Sequence, residues 1–457
     1  MEFDLQVHQN KFLSEGDTTM TAVVTLAAKT GQAPEAEVEA AEVLLVDCST
    51  SMRWPVAKIV AARQAAAAAI DVLRDGVFFA VVAGTTRARQ VYPERGMARA
   101  DRWSRTEAKT QVWTLAADGG TAIGTWLTMA GNLLAEHPGA VRHAILLTDG
   151  QNQAESSEQL GRVLDACEGR FTCDARGIGE DWDPAELTRI VTVLRGTADS
   201  VVDEKDLAED FRRLTEHAML KTVPDVRLRL AAMPFSRLDF VKQVHPMEYD
   251  LTGRLQRTEA NLMELSTGAW SEGEEREYLV GFEFSPGEVT YGQDTQLGWL
   301  QVASGPGDPV PVIGNRTRDP VEATRIDPKV QKYTVQGELA QAMDEGFAAY
   351  QAKDLEKAQR AWGRAVRLTV ESPNDEMRKR LAQLVDVIDA AKGDVRLKEN
   401  LTRSQIMHAV LGSRISTYEA AVAGGGPREP REIPCPHCGS RHPAEERLCP
   451  KTFRKIR

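Results

Sequence analysis

Oxygen-bearing side chains follow the ends of several predicted buried strands, in a pattern that suits a divalent metal ion. The stretch Asp47-Cys48-Ser49-Thr50-Ser51 follows the apolar run 43–46. A Gly-Gly-Thr sequence at 119–121 opens a predicted helix, and Asp149-Gly150 follows a second apolar run at 144–147. Carboxylate and hydroxyl oxygens are hard ligands that suit Mg²⁺ or Mn²⁺ better than Zn²⁺. The predicted ligands are Asp47, Ser49, Ser51, Thr121 and Asp149.

Helix capping and catalysis are the two other interpretations of these residues. Asp and Ser often cap helices, but the recurrence of ligand-type residues in three segments favours a metal site. A strand-end aspartate could also accept a phosphoryl group, as in haloacid-dehalogenase-like phosphatases. Those enzymes need a second acid two residues further on, where Ser49 is found. Cys48 has no evident His and Asx partners, and the sequence contains no phosphate-binding loop or nucleophile elbow, so we predict no enzyme.

The set Asp47-x-Ser49-x-Ser51, Gly120-Thr121 and Asp149-Gly150 resembles the metal-ion-dependent adhesion site of von Willebrand factor A domains. The resemblance covers about 40–220, and a Gly-Ile-Gly stretch at 177–179 also fits it. It implies that the two serines and Thr121 contact the metal directly and that the two aspartates hold coordinated water. It also implies that a sixth position is left for a carboxylate from a partner.

Three cysteines at the C-terminal end have the spacing of a zinc knuckle. Cys435 and Cys438 flank a tight turn, and Cys449 begins what resembles a second knuckle, in which Thr452 replaces the fourth cysteine of zinc ribbons. A closed tetrahedral site needs one more ligand, and His442 suits it better than a histidine inside the first knuckle. The predicted zinc ligands are Cys435, Cys438, His442 and Cys449, and the alternative is a tail with free thiols.

Strands alternate with helices between residues 42 and 220, and this alternation predicts a doubly wound, mostly parallel α/β sheet of Rossmann-like type. The run 43–46 is apolar throughout, as in a strand buried on both faces. In such sheets ligands bind at the carboxyl ends of the strands, where the predicted metal ligands occur.

A period of two, typical of antiparallel strands, appears on both sides of this α/β segment. Phe3, Leu5 and Val7 alternate with polar residues, and the same alternation returns after Pro224. We therefore predict that the α/β domain is inserted in an antiparallel β-sandwich. The predicted boundaries are 1–34 for the first sandwich strands, 35–222 for the α/β domain, 223–333 for the remaining sandwich, 334–422 for a helical segment, and 423–457 for a linker and a zinc-ribbon-like tail.

The helical segment has the small and aromatic residues of one tetratricopeptide-type hairpin, among them Gly346, Tyr350 and Trp362. One repeat is a weak signal, because stable arrays need about three or more. The alternative is an amphipathic helix pair that packs on the sandwich.

Charge and composition restrict the classes of partner. The 457 residues carry a net charge of −11, which argues against nucleic acid as the partner. No apolar run approaches the roughly 20 residues that span a bilayer, and the charged first 17 residues do not resemble a secretory signal. The 6 cysteines do not form a disulfide pattern, so we expect a cytoplasmic protein.

The resemblance to von Willebrand factor A domains implies a metal-dependent adaptor or scaffold that captures an acidic side chain of a protein partner. The chain resembles cytoplasmic bacterial proteins that join a von Willebrand A domain to a β-sandwich and a zinc-ribbon-like tail. That resemblance implies an AAA+ ATPase or a kinase-linked system as the partner. The alternatives are a metal-assisted phosphatase, which lacks a general acid, and a purely structural subunit of a larger assembly.

Overall fold

A computed structural model describes residues 1–29, 38–259, 261–303, 307–416, 432–434, 441–443 and 449 of the chain. The chain divides into two compact units, which are described separately below. The first comprises Met1–Gln243 and Tyr249–Asp327, and the second comprises Val244–Glu248 and the chain from Pro328 onward.

The first unit begins with three strands, which are β1 (Phe3–Gln9), β2 (Phe12–Leu13) and β3 (Thr19–Ala28). The α/β domain follows. Its strands are β4 (Ala40–Asp47), β5 (Phe78–Gly84), β6 (Ala88–Tyr92), β7 (Ala98–Arg99), β8 (Val141–Thr148), β9 (Thr172–Ile178) and β10 (Ala198–Val201). Its helices are α1 (Ala57–Val72), α2 (Arg102–Val112), α3 (Ile123–Ala135), α4 (Ser157–Cys167), α5 (Pro184–Leu194) and α6 (Leu207–Met219).

The sheet of the α/β domain has the strand order β10-β9-β8-β4-β5-β6, and β7 also pairs with β5. The first five strands of this order are parallel, whereas β6 and β7 run antiparallel to β5. Residues 43–46 of β4 are fully buried, because helices cover both faces of the sheet. The predicted doubly wound α/β fold is therefore confirmed.

The sandwich strands that follow are β11 (Lys221–Val223), β12 (Arg227–Ala232), β13 (Ser236–His245), β14 (Tyr249–Asp250), β15 (Gln256–Glu259), β16 (Leu262–Ser266), β17 (Trp270–Ser271), β18 (Glu275–Phe284), β19 (Thr295–Val302) and β20 (Val310–Arg316). One sheet has the order β1-β3-β18-β13-β14, and the other has the order β15-β16-β12-β19-β20-β2. A short helix, α7 (Pro320–Ala323), comes after β20.

The predicted insertion of the α/β domain is confirmed by the pairing of β3 with β18. The two strands are antiparallel, and Thr25 lies opposite Glu277. The Thr25 hydroxyl donates to a Glu277 carboxylate oxygen at 3.0 Å, inside the sandwich. The two sheets pack face to face at Gly298, where a side chain would collide with the ring of Phe282. The first strands of the chain thus complete a sheet whose other strands follow the α/β domain.

The second unit contains α8 (Pro328–Gln351), α9 (Leu355–Glu371), α10 (Asp375–Leu384), the hairpin β21 (Val385–Asp389) and β22 (Asp394–Leu397), and α11 (Arg403–Gly412). Short strands also pair at β23 (Glu432–Pro434) and β24 (Arg441–Pro443). Helices α8 and α9 form the predicted helical hairpin, and the Trp362 ring fills the space left by Gly346.

Within the segment predicted to be helical, 334–422, the described residues also include two short strands. Residues 385–397 form an antiparallel hairpin, in which Val385 and Val395 are buried. The sequence Val-Asp-Val-Ile-Asp is rich in β-branched residues, which favour strands over helices. Gly393 then adopts a positive φ of 73° at the turn. The first helix also begins earlier than predicted, at Pro328.

Candidate functional site

The predicted ligands converge at the carboxyl edge of the parallel sheet. Asp47 ends β4, and after two further residues a 3-10 helix, Thr50–Arg53, begins and carries Ser51. Asp149 follows β8, which is paired with β4. Thr121 precedes α3, in a loop that is bonded to both of these segments. Because neighbouring parallel strands end at the same edge, the three segments meet there.

Asp47 is held in place by three donors. Its Oδ1 accepts the backbone N–H of Ser49 at 2.8 Å. Its Oδ2 accepts the Thr148 hydroxyl at 2.7 Å and the backbone N–H of Asp149 at 3.3 Å. Burial and the nearby charge of Asp149 raise the pKa of Asp47 to about 6, although its hydrogen bonds favour the ionised form. A cation at this edge would relieve the repulsion between the two carboxylates.

The serine hydroxyls connect Asp47's segment to Asp149. The Oγ atoms of Ser49 and Ser51 lie 2.8 Å apart. Ser51 donates to Asp149 Oδ1 at 2.6 Å. A side chain at Gly150 would lie only 3.3 Å from both the Ser51 and the Thr121 hydroxyl oxygens. The glycine therefore leaves room where the hydroxyls of two separate segments approach each other.

Backbone contacts fix the loop that carries Thr121. Gly119 accepts both the backbone N–H and the hydroxyl of Thr50, each at 2.8 Å, and adopts a φ of 84°. The Thr121 carbonyl accepts the Ala154 N–H at 3.0 Å. The Asn152 side chain accepts the first N–H of α3, from Ile123, at 3.0 Å. Thr121 is thus held between the Asp47 segment and the loop after Asp149.

The chemistry of this donor set fits a hard divalent cation. Two carboxylates and three hydroxyls meet, and all five residues were predicted from the sequence. Among the described residues, no three Asp, Glu, His or Cys side chains cluster in a metal-binding arrangement. A metal at this edge would therefore depend on hydroxyl as well as carboxylate oxygens, as Mg²⁺ and Mn²⁺ accept.

One charged residue of the site was not predicted. Lys58, in the first turn of α1, places its Nζ 2.8 Å from Asp149 Oδ2 and is 6% exposed. Nothing in the spacing of the ligand residues indicates this lysine, because it approaches from the helix side of the edge. Cys48 lies beside the site but is buried, and burial raises the pKa of its thiol to about 12, which does not suit a nucleophile.

The predicted zinc ligands lie mostly outside the described residues. Cys435 and Cys438 belong to this group, and of His442 only the backbone, in β24, is described. Cys449 is buried. The zinc site stays a prediction from the sequence.

The fold and the arrangement of this edge define an α/β domain of the von Willebrand factor A type. The profile described as von Willebrand factor type A domain matches residues 41–200, and the profile of the von Willebrand factor type A C-terminal domain matches residues 367–408. A search of curated proteins gave no match.

Two solved structures resemble the chain over most of its length. One is described as von Willebrand factor type A from Catenulispora acidiphila, with 41% identity, a TM-score of 0.82, and coverage of 91% of this chain and 97% of the other. The second is the ArnB paralog VWA2 from Sulfolobus acidocaldarius, with 14% identity, a TM-score of 0.55, and coverage of 91% and 98%. The chain belongs to the von Willebrand factor type A family.

No helix in the described part of the chain has both the length and the apolar character that a membrane crossing requires.

Proposed function

We propose that the chain is a metal-dependent protein-binding adaptor that captures a carboxylate of a partner protein at the edge formed by Asp47, Ser51 and Asp149. The observation that carries this proposal is the meeting of five oxygen-bearing side chains from three separate segments. Family membership supports a role in protein–protein interaction or adhesion.

The residues that would hold the metal are Asp47, Ser49, Ser51, Thr121 and Asp149. A bound divalent cation would supply positive charge that attracts an outside carboxylate. Hydrogen bonds between Ser49 and Ser51, from Ser51 to Asp149 and around the Thr121 loop keep these oxygens in place. Asp47 and Asp149 supply the negative charge that favours a cation.

The surface next to the site suits a protein partner better than a small substrate. Trp54, three residues after Ser51, is 74% exposed, and Val56 is 53% exposed. Large apolar side chains at the surface beside a charged site are typical of binding hot spots. They would cover the carboxylate–metal contact and exclude water around it. We therefore infer a partner that presents an acidic residue beside an apolar one.

We also propose that the protein is not an enzyme. A phosphoryl-transfer mechanism with Asp47 as the nucleophile would need an acid at Ser49, and a hydroxyl does not protonate a leaving group at neutral pH. The fully buried position of Asp47 also denies an in-line approach to its carboxylate.

The remaining proposals concern the tail, the partner class and the location. The spacing of Cys435, Cys438 and Cys449 supports one Zn²⁺ with His442 as the fourth ligand, which would make the tail a second recognition element. The cysteine usage of the chain supports a cytoplasmic location. An AAA+ or kinase-linked partner rests on the resemblance to cytoplasmic bacterial proteins that contain a von Willebrand A domain.

A metal titration and a peptide selection test the function together. Calorimetry should show one Mg²⁺ or Mn²⁺ per chain for the wild type and none for Asp47→Ala. Asp75→Ala is the matched control, because that carboxylate lies before β5, at the opposite edge of the sheet, and is largely exposed. Thermal melting should show that both variants are folded, as the wild type is.

The selection uses a displayed peptide library bound in Mg²⁺ and eluted with a chelator. Asp and Glu should be enriched by the wild type and by Asp75→Ala but not by Asp47→Ala. Mass spectrometry of proteins that co-purify in Mg²⁺ and are lost with chelator would then identify the partner. Equal metal binding by wild type and Asp47→Ala would reject the assigned site, and an enrichment without acidic residues would reject the carboxylate mode of binding.

A further inference from the structure

Lys58 brings a positive charge into the group of oxygens that we assign to the metal. Its ammonium donates to Asp149 Oδ2 at 2.8 Å, and its Nζ is 4.0 Å from a carboxylate oxygen of Asp181. Asp181 is 67% exposed, so solvent screens its share of this interaction. Asp149, by contrast, is fully buried. Lysine is almost never buried without a partner, and here the partner is a metal-site carboxylate.

The surrounding backbone leaves space for this lysine. Gly179, in the loop after β9, has a φ of 76°, and a side chain there would lie 2.8 Å from Lys58 Cε and 3.0 Å from its Nζ. The ammonium is therefore enclosed between the loops that follow β8 and β9. The two oxygens of Asp149 are divided between two donors, with Oδ1 accepting from Ser51 and Oδ2 from Lys58.

The ionised side chains at this edge carry charges of both signs. Asp47 and Asp149 contribute two negative charges, and Lys58 contributes one positive charge, so the edge without metal carries one net negative charge. A divalent cation would bring that sum to one net positive charge. Without the lysine, the loaded site would be neutral. The lysine repels the cation that the carboxylates attract, and it adds to the attraction that the loaded site exerts on an incoming carboxylate.

We propose that the positive charge of Lys58 lowers the affinity of the site for its divalent cation and raises the affinity of the metal-loaded site for a carboxylate. This inference rests on the proposed metal-dependent function and deepens it. Compared with the same site without the lysine charge, the metal is bound more weakly and the acidic partner is bound more tightly. Lys58 acts through charge here and is not itself a metal ligand.

The experiment compares the full-length wild type with Lys58→Met, which keeps the length of the side chain and removes its charge. Lys109→Met is the matched control, because Lys109 pairs with Asp71 on the exposed surface of the same domain. Lys58→Gln is a second variant, which keeps an N–H donor without the charge. Circular dichroism melting establishes that each variant folds.

Two measurements separate the effect on the metal from the effect on the carboxylate. Electron paramagnetic resonance of Mn²⁺ alone gives the metal affinity. Broadening of the acetate methyl resonance by protein-bound Mn²⁺ gives the affinity of the loaded site for a carboxylate. Both uncharged variants should bind Mn²⁺ at least about tenfold more tightly than the wild type. They should bind acetate at least about threefold more weakly, and Lys109→Met should match the wild type in both measurements.

The outcomes distinguish this inference from the proposed function. Binding of Mn²⁺ by the Lys58 variants but not by the wild type would still support the charge effect. Unchanged or weaker Mn²⁺ binding in folded Lys58→Met and Lys58→Gln would overturn the inference and leave the metal site standing, since the lysine would then only position Asp149. No Mn²⁺ binding by any folded form would overturn the proposed metal site and this inference with it.

Discussion

Replacement of His143 by glutamine should destabilise the α/β domain strongly at neutral pH. His143 lies on β8 between two carboxylates from the neighbouring strands. Its Nδ1 is 2.9 Å from both Glu42 oxygens, and its Nε2 is 3.1 Å from Asp174 Oδ2. The histidine side chain is 8% exposed, and the Glu42 side chain is fully buried. A neutral glutamine would leave the charge of Glu42 without an ionic partner.

The size of this destabilisation follows from the pKa of the His143 imidazole. Burial alone would lower this pKa, but the charge of Glu42 and the hydrogen bonds to both carboxylates outweigh burial and raise it from 6.5 to about 10. At about 1.4 kcal/mol per pKa unit, the charged histidine contributes up to about 5 kcal/mol. Breaking a buried pair costs about 3–5 kcal/mol in general, so we expect a loss of that size in His143→Gln.

The pH dependence has a definite sign. The folded protein keeps the His143 proton up to about pH 10, whereas the unfolded chain releases it near 6.5. The stabilisation is therefore fully present below pH 6.5 and is lost as the pH rises through 10. The wild type should lose stability between pH 7 and 10 more steeply than His143→Gln.

Urea unfolding followed by tryptophan fluorescence measures both effects, because Trp126 and Trp182 are buried in this domain. The double variant Glu42→Gln/His143→Gln should be more stable than the sum of the single losses predicts, since it removes both charges. Parallel pH profiles for the wild type and His143→Gln, or strict additivity in the double variant, would show that the histidine is not charged in the folded protein.

Three further predictions concern the proposed metal site and the tail. In chelator at pH 7, Asp47→Asn should melt at or above the wild type, because it removes a buried negative charge that is unfavourable in the folded protein. Mg²⁺ at about 100 times its Kd should raise the melting temperature of the wild type only. Trp54→Ser should weaken binding of the selected acidic peptides at least about fivefold, while the affinity for Mn²⁺ stays the same. Equal losses of peptide affinity and Mn²⁺ affinity would assign the tryptophan to the metal site itself. Elemental analysis should find about one zinc per chain in the wild type, no zinc in Cys438→Ser and less zinc in His442→Ala. Zinc that is lost in Cys438→Ser but unchanged in His442→Ala would reject His442 as the fourth ligand. A wild type without zinc would reject the whole site.

The convergence of the five oxygen-bearing residues could be predicted because sequence order largely determines where they lie. Once buried parallel strands are recognised before Asp47 and Asp149, both residues must emerge at the same edge of the sheet. The pairing of the first strands across the inserted domain was also predictable, because their exposed edges need partners. These inferences use local patterns and one general rule of sheet topology.

Other features depend on contacts that no local pattern records. Lys58 is part of the site only because a helix turn and a glycine 121 positions further along direct it onto Asp149. The edge strands β6 and β7 pair with β5 through short segments of mixed polarity, which carry little periodic signal. The hairpin at 385–397 was assigned to a helix because its strands are short and lie between helices.

The pairing of β3 with β18 has a consequence for how the chain is made. Thr25 and Glu277 are 252 residues apart, and ribosomes add about 5–20 residues per second. The hairpin of β1 and β3 is therefore synthesised roughly 13–50 s before β18. During that interval the whole α/β domain is made and can fold, whereas the apolar strand β3 has an unpaired edge. In a crowded cell this hairpin is exposed to premature association during that interval, and a chaperone that shields nascent chains would find a binding site there.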